Sequence, residues 1–306
     1  MLRGVAVARA APSRATLPSM PSEIDRVTTL DGTELRTRHW PATDSWAGLL
    51  LVHGLGEHSG RYEHVGEQFA DAGIETHAFD LRGQGASGGR RGDIDRWSRY
   101  HDDVAERLDA VRAVTPQRPI VLYGHSMGGL IVAGYLLSDR PKPDLAVMTA
   151  PGLDSTLAAW KRALVPVLGR IVPTLAIPTG IDLATLSRDP SVRERAAVDD
   201  LRVKVSTTRL GSEGLAEQGR VRAGARSIAV PTLVLHGLDD GLVPPSASEV
   251  FEGVPGIERR TYRSLRHELH NEPEGPAILD EVVAWLQDRA RLSAQPNTAS
   301  GERLER

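Results

Sequence analysis

One segment, Gly124-His125-Ser126-Met127-Gly128, constrains this chain more than any other. The apolar run Ile120-Val121-Leu122-Tyr123 enters it, and an apolar helical pattern from Leu130-Ile131-Val132 to Leu137 leaves it, which predicts strand, sharp turn and helix in succession. A Gly-x-Ser-x-Gly turn in that setting holds its serine on a strained bend at the top of a sheet. The glycines are required because a Cβ at either position would meet the adjoining strand or helix. Ser126 is therefore the candidate nucleophile.

The rest of the chain repeats the alternation of strand and helix. Residues 27–30 and 35–40 around Asp31-Gly32 predict a hairpin with a tight turn. Residues 47–52 form a continuous apolar run ending at His53-Gly54, the pattern of a strand covered on both faces. A helix over 62–72 closed by Gly73, a strand over 74–79, a long helix over 97–114 and strands over 145–149, 232–235 and 259–262 follow, then a helix over 277–289. Such alternation predicts an α/β domain with a mostly parallel sheet and helices on both faces. Between residues 151 and 227 it stops. An apolar helical stretch over 157–172, turns rich in Pro and Gly, and the charged run 188–195 suggest an insertion over the sheet. The expected organisation is a disordered leader over 1–22, with Met20 as an alternative initiator, a core made of 23–150 and 228–291, the insertion 151–227, and a loose tail over 292–306.

Composition narrows the function. The chain has 306 residues, 25% of them charged, and a formal net charge of -3, with no basic run interleaved with aromatics, so a nucleic-acid surface is not expected. It contains no cysteine, which excludes disulfides, thiolate nucleophiles and cysteine-ligated metals. Only Lys142, Lys161 and Lys204 among the 37 basic residues are lysine, an arginine bias that points to a GC-rich bacterial genome. No stretch approaches the ~20 apolar residues of a membrane span. The apolar part of the leader is shorter than the ~7–15-residue core of a secretory signal. A cytoplasmic protein, or one peripheral to a membrane or cell envelope, fits these features. Nothing in the sequence specifies an oligomeric state.

A serine nucleophile needs a base, an acid to hold the base, and two N–H groups aimed at the developing oxyanion. On a Gly-x-Ser-x-Gly turn the partners follow in the chain order Ser, Asp or Glu, His. That order is present. The strand-to-loop segment Leu233-Val234-Leu235-His236-Gly237-Leu238-Asp239-Asp240 offers Asp239 or Asp240 as the acid, and Arg266-His267-Glu268-Leu269-His270 offers His267 or His270 as the base. Met127 follows the nucleophile at a helix N-terminus, and Leu55 follows the strand that ends in His53-Gly54, so these two supply the candidate oxyanion N–H groups. His53 and His125 read as rings that orient loops. Arg82-Gly83-Gln84-Gly85 lacks the Lys-Ser/Thr ending of a phosphate loop and reads as a shaped turn.

Taken together, His53-Gly54-Leu55-Gly56-Glu57-His58-Ser59-Gly60-Arg61-Tyr62, Asp80-Leu81-Arg82-Gly83-Gln84-Gly85-Ala86-Ser87, Gly124 to Gly129, His236 to Asp240 and His267-Glu268 closely resemble the monoacylglycerol lipase family of serine hydrolases. The likeness extends over about residues 24–289. It implies the α/β-hydrolase fold with an inserted helical lid or cap, the triad Ser126, Asp240 and His267, and the oxyanion donors Leu55 and Met127. It implies hydrolysis of monoacylglycerols to glycerol and fatty acid through an acyl-enzyme, with no metal or organic cofactor. Family lids are short and mobile, with an apolar outer face. Leu157, Trp160, Ala163, Leu164, Val167, Leu168 and Ile171 match such a face and would dock on lipid aggregates or a membrane without inserting. Glu57, His58 and Arg61 match positions behind the oxyanion loop, where a salt-bridge network is expected.

Overall fold

The computed structural model describes residues 21–156 and 158–294. Eight of its strands form one sheet: β1 (Glu23–Thr28), β2 (Glu34–Trp40), β3 (Ala47–Val52), β4 (Ile74–Phe79), β5 (Ile120–His125), β6 (Leu145–Thr149), β9 (Thr232–Gly237) and β10 (Ile257–Tyr262). Their spatial order is β1-β2-β4-β3-β5-β6-β9-β10. Only β2 runs against its neighbours, pairing antiparallel with β1 and β4, and every pair from β4 to β10 is parallel. All residues of β3, β5, β6 and β9 are buried, as a sheet covered on both faces requires. Helices α1 (Glu63–Asp71) and α7 (Gly275–Ala294) cover one face, where Phe69, Leu279, Val282 and Leu286 pack on Leu49, Leu51, Tyr123 and Leu235. On the other face α2 (Ser98–Val114) and α3 (Met127–Leu136) bury Val104, Leu108, Ile131 and Tyr135 against Leu50, Val52, Leu122 and Met148. This is the α/β-hydrolase arrangement.

The hairpin differs from its expectation. Thr29 N donates to the Thr33 carbonyl (2.9 Å), so the loop holds three residues, Leu30-Asp31-Gly32, with Gly32 in the left-handed region at φ 85°. Asp-Gly sits at its end, where a glycine absorbs the extra residue of a longer hairpin loop.

Between β6 and β9 the chain forms α4 (Ala159–Ile171), the short strand pair β7 (Ala176–Pro178) and β8 (Val205–Thr207), α5 (Pro190–Val198) and α6 (Thr208–Gly224). Helix α6 had no counterpart in the sequence reading. Most of the expected leader and tail, and Leu157, lie outside the described residues. The described ends shift two boundaries: Ser22, assigned to the leader, donates from its backbone N to Glu63 (3.0 Å), and residues 292–294, assigned to the tail, continue α7.

Candidate active site

Strand β5 ends in the turn that carries Ser126, whose φ of 53° and ψ of -118° are sparsely populated for a residue with a Cβ. The cost is tolerated because packing leaves no alternative path. A Cβ on Gly128 would lie 2.0 Å from the Val52 carbonyl oxygen, so α3 leaves the turn pressed onto β3. Met127 is the first residue of α3, where an N–H has no intrahelical acceptor and faces outward with the positive end of the helix dipole.

The loop after β3 lies against the nucleophile: a Cβ on Gly54 would sit 3.2 Å from Ser126 Cβ. Four hydrogen bonds fix the loop. The Leu81 N–H donates to His53 Nε2 (2.9 Å), so His53 Nδ1 carries the proton and donates to the Gly54 carbonyl (2.8 Å). Burial pushes the His53 pKa down, consistent with a neutral ring. Glu57 Oε2 accepts from Gly54 N (2.9 Å) and from the Tyr62 hydroxyl (2.6 Å). Leu55 N and Met127 N have no protein acceptor among the described residues.

Asp240 and His267 meet beside this turn. His267 Nδ1 lies 2.7 Å from Asp240 Oδ2, and both side chains are buried. The remaining Asp240 capacity is filled by the N–H groups of Leu242 (2.8 Å) and Val243 (2.9 Å) on Oδ1 and by His236 Nε2 (3.1 Å) on Oδ2. Burial alone would raise the Asp240 carboxyl, but His267, His236 and the backbone donors hold it well below the usual carboxylate range. Burial alone would lower His267, yet Asp240 raises it above the ordinary imidazole value. The His267 ring lies 4.8 Å from that of His125, the residue before Ser126. Asp239 is exposed. His270 faces Tyr62 (4.8 Å, stacked) and His125 (5.0 Å), and burial pushes its pKa well down.

The network expected from Glu57, His58 and Arg61 has a member the sequence reading missed. Arg61 Nη2 donates to both oxygens of Glu268 (2.7 and 2.9 Å), joining the Leu55 loop to the residue after His267. The available signal was a carboxylate directly following a candidate base, opposite an arginine in the His-Gly motif. His58 turns the other way, to Asp199 (3.0 Å). Glu57, His125 and Glu268 offer donor atoms within 4.8 Å of one another. Arg61, Tyr62 and the Gly54 N–H already engage those carboxylates, so the group fits an ion-pair network better than a metal. His39, Glu75 and His77 form a second grouping on β2 and β4, with His39 Nε2 on Glu75 (2.6 Å).

Helix α4 leaves none of its side chains fully buried, and Trp160, Leu164, Val167 and Ile171 are exposed. Among the described residues no helix is long and apolar enough to cross a membrane.

Residues 44–274 match the family model described as serine aminopeptidase, S33. The chain is 31% identical over 255 residues to a monoacylglycerol lipase of Mycolicibacterium smegmatis, covering 80% of this chain and 90% of that one. It is 31% identical to an uncharacterized abhydrolase domain-containing protein of Dictyostelium discoideum over 92% of its own length, while spanning only 30% of that longer protein. The crystal structure of the Paleococcus ferrophilus monoacylglycerol lipase superposes with a TM-score of 0.74 at 30% identity, covering 87% of this chain and 99% of that one. The chain thus belongs to the serine aminopeptidase S33 family, as a lipase or esterase of the α/β-hydrolase type that resembles monoacylglycerol lipases.

Proposed function

We propose that this protein hydrolyses monoacylglycerols to glycerol and fatty acid. One observation carries the reading: a buried Asp240–His267 pair stands beside a strained, half-buried Ser126 that is flanked by the unengaged N–H groups of Leu55 and Met127. In this reading the Ser126 hydroxyl attacks the ester carbonyl and His267 Nε2 takes its proton. Asp240 holds the ring through Nδ1 and stabilises the imidazolium. The Leu55 and Met127 N–H groups bind the oxyanion of the tetrahedral intermediate. Its collapse breaks the ester bond, and the departing glycerol oxygen takes the proton from His267. Water, activated by the same base, then releases the fatty acid from Ser126. Residues 151–227 act as the lid, and the exposed face of α4 brings it to lipid aggregates or a membrane. The relatives named monoacylglycerol lipase support the choice of alcohol.

The test is the hydrolysis rate over mono-, di- and triacylglycerols, lysophosphatidylcholine and a short nitrophenyl ester. Preference for monoacylglycerols is expected, with Ser126→Ala losing on the order of 10³-fold or more. Preference for the short ester would make the protein a broad carboxylesterase. Equal turnover by Ser126→Ala would remove the nucleophile.

A further inference from the structure

The antiparallel edge of the sheet carries two histidines and two carboxylates that the hydrolase chemistry leaves unused. Glu23 on β1 stands opposite His39 on β2, and His39 stands opposite His77 on β4. Opposed residues share a face, as do residues two apart on one strand, so Glu75 joins the same group. The His39 and His77 rings stack with centroids 4.3 Å apart. Donor atoms of His39, Glu75 and His77 all lie within 4.8 Å of one another. Around a tetrahedral ion with bonds of about 2.0–2.2 Å neighbouring donors stand ~3.4 Å apart, so side-chain shifts on the order of 1 Å bring the three onto one centre.

The surroundings of these side chains suit a cation. His77 Nε2 is buried with no hydrogen-bond partner among the described residues, and a cavity of about 100 Å³ opens beside the two rings. His39 Nε2 lies 2.6 Å from Glu75 Oε1, and its Nδ1 lies 3.3 Å from Glu23 Oε2. With its proton on Nδ1, His39 donates to Glu23 and aims the Nε2 lone pair at Glu75, two acceptors that a cation would draw together. A carboxylate on the far nitrogen is the partner that a metal-bound imidazole takes. Glu75 is oriented as well, since its Oε2 accepts from Ala42 N (3.0 Å). Arg38 turns its guanidinium to Glu63 (2.7 Å), and the charge of Arg107, which also lines the cavity, is outweighed by Glu23 and Glu75 together. The His39 side chain is 27% exposed, which leaves a path from solvent.

We infer that His39, Glu75 and His77 bind a divalent transition-metal ion of the zinc class, with water as the fourth ligand and Glu23 holding His39 from behind. Two imidazoles and one carboxylate favour Zn²⁺ over Mg²⁺. The ion ties β2 to β4. Strand β3 separates β4 from the β5 elbow, so acyl transfer at Ser126 does not use the ion and the inference stands apart from the choice of ester.

The test titrates Zn²⁺ by calorimetry into the full chain, free of any polyhistidine tag and treated beforehand with a chelator. One equivalent is expected to bind with a Kd on the order of 1 µM or below. Glu75→Gln should weaken binding about tenfold or more, and His39→Gln/His77→Gln should abolish it. Zn²⁺ at 100 times Kd should raise the wild-type Tm by about 5 °C and leave that of the double variant unmoved. Undiminished binding by the double variant would put the ion elsewhere, the Glu57, His125 and Glu268 group included, and overturn the inference. So would no binding by the wild type at ~100 µM Zn²⁺, or equal binding of Mg²⁺. Glu75→Gln keeps the side chain's shape and an acceptor for Ala42 N, so it decides the matter even if the double variant fails to fold: unchanged affinity in it overturns the inference.

Discussion

The segment between β6 and β9 contains two stretches held in opposite ways. Helix α4 rests on α6 at a close crossing, where a Cβ on Gly169 would lie 2.6 Å from Ser212 Cβ, and it keeps Trp160, Leu164, Val167 and Ile171 in solvent. Residues 182–199 bury Leu186, Val192 and Ala196 in a small cluster of their own. They also attach to the loop of the base through the backbone. Leu186 O accepts from Glu268 N (2.8 Å), Ser187 Oγ donates to the Asn271 carbonyl (2.7 Å), and Arg188 Nε donates to Glu272 (3.0 Å). One inserted segment thus combines a strut that shares hydrogen bonds with His267's loop and a face that shares almost none with the core. The strut braces the loop of the candidate base, whereas α4 leaves Trp160, Leu164, Val167 and Ile171 exposed.

The sharpest way to break that contrast is Glu272→Ala. This buried carboxylate accepts from Arg266 N (2.7 Å), Arg188 N (3.1 Å) and Arg188 Nε, so one substitution orphans donors on both the strut and the residue before His267. Arg188 is exposed and can turn to water, so the cost is that of the unpaired backbone donors, about 1–3 kcal/mol, expected as a fall in Tm of roughly 2 °C or more. kcat/KM should fall with it. Unchanged Tm and kcat/KM would mean that the strut holds without this anchor.

A smaller effect concerns the histidines around the site rather than the two stretches themselves. His53, His125 and His270 are buried with lowered pKa values, His125 to about 3, burial being the largest cause. As pH falls below ~6.5 the unfolded chain takes up protons that these rings refuse, so stability is lost on the acid side. His267 has the opposite sign. Its raised pKa contributes stability below ~6.5 that disappears as pH rises through the folded value. Three rings outweigh one, and Tm should drop between pH 7 and 5. Over the same range the acid limb of kcat/KM should have its midpoint above ~6.5 if the proposed mechanism holds, since it requires a neutral His267 and Asp240 favours the ring's proton. Asp240→Asn should move that midpoint down, and a midpoint at or below 6 in the wild type would contradict the pairing as the rate-governing one.

The parts legible in the sequence are those with strong local signals. Four fully buried strands read as apolar runs, and the elbow carries its own glycines. Selecting Asp240 and His267 over Asp239 and His270 needed the family resemblance, and the geometry pairs the selected two. Helix α6 was invisible because Gly211, Gly214, Gly219 and Gly224 break a helical pattern, each costing about 1 kcal/mol relative to Ala. At Gly211 the missing side chain admits α4: a Cβ there would be 3.2 Å from Val165 Cγ1. The strut was unreadable for another reason. Its bonds are mostly backbone to backbone or backbone to side chain across about 80 residues, and backbone groups leave no mark in a sequence.

The weakest expected effect on the fold is also the most informative about the exposed face. Leu164 is 47% exposed near the middle of α4, so Leu164→Asp removes little buried area. A surface substitution of this kind should change stability by no more than about 0.5 kcal/mol. If α4 touches lipid, the same change places a charge where apolar side chains must enter the interface, and turnover of micellar monoacylglycerol should fall several-fold while that of a soluble short ester barely changes. Equal loss on both substrates would show that Leu164 serves the reacting site or the fold. A large fall in Tm would show that α4 is held by packing after all, and the contrast with the strut would collapse.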